Sequence, residues 1–239
     1  MNYQNSKAIF FKELKGYFYS LSSYIFIIVF LTLLTWLYFQ NLFLIKQTSM
    51  RGFASLLPWF FLFLIPALAM RIWSEEKRQG TYELLLTLPV SEWEAVLAKF
   101  LGGFVFIAVA LAFSLPIPIT LSWLGNLDWG PVLGMYAGAW LLGGAFMALG
   151  QFISSLTKNQ IVAFLLTIAS CAVFIFFGTS LVLSHTGALS NVFFLVSAIT
   201  HFENMNKGII DFRDIVYYLS FIGIFLYLNV YALVQRHWK

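Results

Sequence analysis

Apolar residues in this chain fall in runs too long for the buried stripe of a soluble helix. Residues 22–45 carry no charged side chain, nor do 52–70, 100–123, 132–153, 161–183 or 215–235. About 20 apolar residues of helix cross the hydrocarbon core of a bilayer. The pattern predicts an all-α polytopic membrane protein, one transmembrane domain over 1–239, with six transmembrane helices at 22–45, 52–72, 100–123, 132–153, 161–183 and 215–235. Ahead of the first span, Phe10, Leu14, Tyr17, Phe18 and Leu21 recur at i, i+4, i+7, i+8 and i+11, with Lys12 and Lys15 off that stripe. This spacing predicts an amphipathic interfacial helix over 3–21, the alternative being an extended tail. Within 184–214 the apolar stretch 189–200 is too short to cross, so the segment is expected to form a re-entrant or interfacial element.

The one long polar interruption is 71–99, which holds five of the ten acidic residues and four of the fourteen basic ones. Gly80 can end one helix, Thr81 can cap the next, Glu83 falls in its first turn and Pro89 stops it. Ser91 and Glu94 have the spacing of a capping box, which starts the helix of the third span. These signals predict a short helix between spans two and three in the segment 73–99, against the alternative of a solvated loop. Elsewhere, Pro116 and Pro118 should kink span three near its end. Gly125 to Pro131 reads as a turn. Gly134 and Gly138 have G-x-x-x-G spacing, which serves packing within one chain or association of two. Asp211 can cap the last span.

Composition sharpens this picture. At 61% hydrophobic and 10% charged, the 239 residues are far from the balance of soluble domains, and six spans leave no room for a nucleotide-binding domain. The net charge of +4 is accounted for by topology rather than by nucleic acid. Cys171 is single and lies in an apolar run, so an internal disulfide is excluded. The first apolar run starts after about twenty residues and is too long for a cleaved signal, so the first span is expected to serve as the insertion signal. No phosphate-binding loop, H-E-x-x-H, G-x-S-x-G or Cys/His ligand cluster occurs. His185, His201 and His237 lie in or beside polar connections and are expected to be interfacial or solvated. Glu75 and Glu76 are adjacent on a helix and do not face each other, which argues against paired acid–base work. The uncharged runs also lack the ionisable groups that an ion-coupled carrier needs at the midplane. An energy source must come from another chain, and the polar helix is the visible handle for it.

The stretches EEKRQGTYELLLTLPVSEWEAVLAKF, GNLDWGPVLGMYAGAW, SSLTKNQIVAF and HFENMNKGIIDFRDIVYYLS resemble the permease subunits of type-2 ABC transporters, with the nearest likeness to the gliding-motility-associated branch. The resemblance covers essentially the whole chain. It implies a non-enzymatic permease of an ABC-type exporter in the bacterial cytoplasmic (inner) membrane. The same resemblance implies two permease copies, identical or not, and two separate cytoplasmic ATPases that hold the ATP and Mg, with no cofactor in this chain. A periplasmic or membrane auxiliary protein is compatible with it. By the same resemblance, Glu75, Glu76, Lys77, Gly80, Thr81, Glu83 and Pro89 form the ATPase-coupling segment, and 184–214 the external re-entrant helices. A scaffold that draws on an ATPase for mechanical work on an external partner, without moving a solute, is the second reading.

Orientation follows from counting cations. With the amino terminus inside, the cytoplasmic segments hold ten Lys and Arg (7, 12, 15, 71, 77, 78, 99, 158, 236, 239) and the outer ones four (46, 51, 207, 213). This bias places both termini and 73–99 in the cytoplasm. Single cysteines placed at Gln79 and Asn159 are therefore expected to react with impermeant maleimide only from the cytoplasmic face, and one at Asn206 only from outside. Labelling of Gln79 and Asn206 from the same face would overturn the topology.

Overall fold

The computed structural model describes residues 3–45, 49–81, 90–179, 190–209 and 211–235. Among these there are eleven helices and no strand: α1 (Tyr3–Tyr19), α2 (Leu21–Ile45), α3 (Arg51–Ala69), α4 (Arg71–Gln79), α5 (Glu92–Ala112), α6 (Pro116–Leu124), α7 (Trp129–Leu156), α8 (Gln160–Phe176), α9 (Ser190–Val196), α10 (Ala198–Asn206) and α11 (Phe212–Val234). Among the described residues, five segments are long and apolar enough to cross a membrane: Leu21–Gln40, Arg51–Gln79, Glu92–Leu124, Trp129–Leu156 and Phe212–Val234. The stretch expected as span five is a helix of 17 residues, α8, about 25 Å long and shorter than a hydrocarbon core of about 30 Å. The rest of that expected span, 180–183, lies outside the described residues.

Local chemistry sets the helix boundaries. At the start of α5 the Ser91 hydroxyl accepts from the Glu94 amide at 3.3 Å, and the Glu94 carboxylate accepts from the Ser91 amide at 3.2 Å. Asp128, Asn159 and Asp211 cap α7, α8 and α11 with their side-chain oxygens. The kink expected at Pro116 is a full break. Pro116 has no amide to donate, and the chain tightens into i→i−3 bonds from Ser114 to Leu111 and from Leu115 to Ala112 before α6 begins. Pro58 and Pro66 both lie inside α3 without ending it.

Helix α7 is the centre of the bundle. It packs against α3, α4, α5, α8, α10 and α11, while α2 rests on α3 and α1. Small residues make this possible. A Cβ at Gly134 would lie 2.4 Å from the Met205 carbonyl oxygen, and one at Gly138 would lie 3.1 Å from the Met205 Cβ. Both glycines of the G-x-x-x-G pair thus face α10 of the same chain, which answers the question left open by their spacing. Where α10 meets α11, His201 Nδ1 lies 2.6 Å from Asp214 Oδ1 and its Nε2 lies 3.2 Å from the Leu195 carbonyl. Tyr217 stacks on the imidazole at 4.0 Å. His201, expected to be solvated or interfacial, is buried at 8% exposure, because its ring joins two short helices to the last span.

Alanine at Gly134 should cost about 1–3 kcal/mol, since backbone rather than a movable side chain occupies the space. Alanine at Gly223, where nothing lies within 4 Å, should be neutral or slightly stabilising. Thermal unfolding of the two detergent-solubilised variants separates these outcomes.

Candidate functional site

The polar stretch singled out in the sequence converges on one side chain, Lys99. Helix α1 presents Ile9, Glu13 and Tyr17 inward at i, i+4 and i+8, so a carboxylate sits in the middle of its buried row. Phe10, Leu14 and Phe18 flank that row half-buried, and Leu21 belongs to α2 and is exposed. Helix α1 lies against α5 at Gly102, whose missing side chain leaves room for Glu13. Helix α4 brings Ile72, Trp73 and Glu76 to the same place. There the Lys99 ammonium donates to Glu13 Oε1 at 2.6 Å, to Glu76 Oε1 at 2.8 Å and to the Ile72 carbonyl at 3.3 Å. It also lies 4.8 Å from the Trp73 ring centroid.

Lys99 is 1% exposed, and its three donors match three acceptors. A buried ammonium survives only when paired in this way. The pairing leaves no open donor for a substrate, so Lys99 joins α1, α4 and α5 rather than acting as a base or nucleophile. Lys12 reaches Glu76 at 3.8 Å from a 70% exposed position and adds little. Next to this joint, Arg71 donates to the Ser20 and Ser22 hydroxyls at 3.2 and 2.5 Å. Burial lifts the Tyr17 phenol well above its ordinary range, Glu13 adds to the shift and Arg71 opposes it, so Tyr17 stays neutral. A cleft of about 420 Å³ opens between α1 and α4 beside these groups.

A second joint fixes α4 to α7. The Ser154 hydroxyl accepts from the amides of Trp73 and Ser74, both at 3.1 Å, and donates to the Met70 carbonyl at 2.9 Å. These are backbone groups freed at the break between α3 and α4, so one serine satisfies a helix interruption that would otherwise leave buried polar atoms unpaired. Lys77 donates to the Ser155 carbonyl nearby.

The residues expected to couple to an ATPase separate in space. Glu76 turns inward to Lys99, and Lys77 turns to α7. Glu75 accepts from Gln79 at 3.1 Å at the surface. Gly80 is exposed and ends α4 with φ 74°, a left-handed conformation that favours glycine, as the sequence predicts. The Thr81 hydroxyl lies 3.4 Å from the Glu76 carbonyl. Glu83 and Pro89 lie outside the described residues. Lys99, Glu13, Trp73 and Ser154 are missing from the sequence-based set. A lysine flanked by apolar residues in AVLAKFLGG was the available signal for the first.

Against this geometry, the sequence from residue 7 to 234 matches the family described as ABC-2 family transporter protein. The chain belongs to that family and is a multi-pass membrane permease of an ABC transporter, a class in which ATP hydrolysis generally resides in a separate subunit. No curated protein matches the chain.

Replacing Lys99 with Met should destabilise the protein by about 3 kcal/mol or more, because it leaves two carboxylates buried without their cation. Adding Glu13→Gln and Glu76→Gln to that variant should recover most of the loss, because no buried charge then lacks a partner. Thermal unfolding in detergent of the single and triple variants reads the difference.

Proposed function

We propose that this chain forms the transmembrane pathway of an ABC-type exporter in the bacterial cytoplasmic membrane, in the gliding-motility-associated branch. Two copies pair with two cytoplasmic ATPases, six spans cross the bilayer with α8 and the residues after it as the fifth, and both termini are cytoplasmic. Helix α1 lies on the membrane surface, and α9 with α10 forms the external element. The interval 74–89 seats in the ATPase and transmits its movement to spans two and three.

The observation that carries this reading is the pair of joints at either end of that interval. On its leading side, α4 is tied to α7 through Ser154 and to α1 and α5 through Lys99. On its trailing side, the Ser91–Glu94 capping box fixes how α5 departs. A force applied between Gly80 and Val90 therefore reaches buried helices through short polar contacts rather than through a slack loop. Half-buried Glu75, which accepts only from Gln79 of its own helix among the hydrogen bonds described, is the acidic group of α4 turned away from the joint, while Glu76 supports the joint from within.

Valine at Gly80 is expected to leave the ATPase bound but to uncouple hydrolysis from transport, because a β-branched residue resists a positive φ. Charge reversal at Glu75 should weaken retention of the ATPase without lowering the thermal stability of the permease. Complex retention, ATPase rate and transport are measured separately in proteoliposomes. Wild-type values for both variants in all three would remove 74–89 from the coupling path.

A further inference from the structure

A second cavity, of about 790 Å³, lies at the end of the bundle opposite Lys99. Helix α3 begins there at Arg51, and Arg71 is 20 residues further on, so about 30 Å of helix separates the two ends. The walls are the start of α3, the turn after α8, and α9 with α10. Their chemistry is divided. Arg51 and Lys207 bring two positive charges, with the Asn206 amide beside them, whereas exposed Trp59 and Phe194 supply an aromatic wall backed by the buried Phe202. Arg51 and Lys207 are exposed, and no salt bridge joins either to an acid among the described residues. Glu203 is the single carboxylate on the lining. Asp128 lines a smaller neighbouring cleft of about 130 Å³ with Arg51 and Asn206, and its Oδ1 is engaged by the Gly130 amide at 3.1 Å.

Two exposed cations beside aromatic rings can exchange water for an anionic group at little cost, since no salt bridge ties either to an acid among the described residues. They are also half of the four cations that run against the inside-positive bias. An occupant must match both halves of the lining, with a negative head for Arg51 and Lys207 and an apolar body for the rings.

We propose that this cavity binds an amphiphile with an anionic phosphate or carboxylate head, held by Arg51 and Lys207, whose tail packs on Trp59 and Phe194. Glu203 faces the same space and repels the head unless that head carries a hydroxyl or other donor to offer it. The site stands independently of any coupling role for 74–89, because it depends on neither α4 nor an ATPase.

The test places the full chain in nanodiscs of phosphatidylcholine with a minority of phosphatidylglycerol and counts retained lipid by native mass spectrometry. Wild type should retain phosphatidylglycerol over phosphatidylcholine. The double variant Arg51→Gln and Lys207→Gln should lose that preference at least tenfold. Arg51→Lys with Lys207→Arg should keep it, which separates loss of charge from loss of fold, and Glu203→Gln should raise it. Excess glycerol 3-phosphate should leave the lipid in place, since it offers the head without the tail. Equal retention of the two lipids by wild type, or undiminished preference in the Gln double variant, overturns the site. Full displacement by glycerol 3-phosphate overturns the amphiphile in favour of a soluble phosphate.

Discussion

A lysine ammonium removed from water has to be answered by charge and hydrogen bonds, and at Lys99 that requirement fixes three helices at once. Glu13 comes from α1, Glu76 and the Ile72 carbonyl from α4, and the lysine itself from α5. Desolvation of the three groups costs several kcal/mol per ion, which the short contacts offset only while all partners stay in register. The joint therefore acts less as a source of stability than as a constraint on geometry. Helix α1 cannot lift from α5 without taking the Glu13 carboxylate from a buried ammonium, and α4 cannot rotate without removing a second acceptor. Glu76 Oε2 has no hydrogen-bond partner among the described residues, so even the formed joint leaves that oxygen for a neighbour or water to satisfy.

Glycine does for the membrane interior what charge does at this end. Lipid tails are as apolar as leucine, so packing in the bundle depends on close approach rather than on escape from water. Helix α7 obtains that approach from Gly134 and Gly138 against α10, Gly144 against Phe104 and Gly150 against Ala69. Its spanning window is 72% buried, whereas the windows of α2 and α11 are 28% and 33% buried. The outer helices accordingly show Trp36, Ile28 and Tyr227 to their surroundings, and the charged residues are left to the ends.

The elements legible in the sequence were those with local causes. Gly80, the Ser91 capping box, the Pro116 break and the Asp211 cap each act within four residues, and each stands where its chemistry predicts. The buried groups were not legible, because their partners are far away along the chain. Glu13 and Lys99 are 86 residues apart, and Ser154 and Trp73 are 81 apart. Apolar periodicity also misled at α1, since a stripe counted from Phe10, Leu14 and Tyr17 passes over the charged residue that lies at the centre of the buried row. His201 looked solvated for a similar reason. Its partner Asp214 lies in the first turn of α11, 13 residues on, and only packing of α10 on α11 turns the two toward each other.

The two ends of the molecule are connected mechanically by α3 and α4. Pro58 and Pro66 each remove a backbone donor inside α3, which lowers its resistance to bending at those two points. Ser154 clasps its lower junction to α7, so a tilt imposed on α4 must either carry α7 along or bend α3 at Pro66. Carrying α7 disturbs the glycine contacts with α10, where Met205 sits over Gly134 and Gly138. Bending α3 instead moves Trp59 and Arg51, which lie on the other side of Pro66 from the clasp. Both routes end at the walls of the far cavity, because α10 forms one of them and the start of α3 another. Static packing thus leaves two of that cavity's walls, α10 and the start of α3, each joined through one helix to the clasp that holds α4.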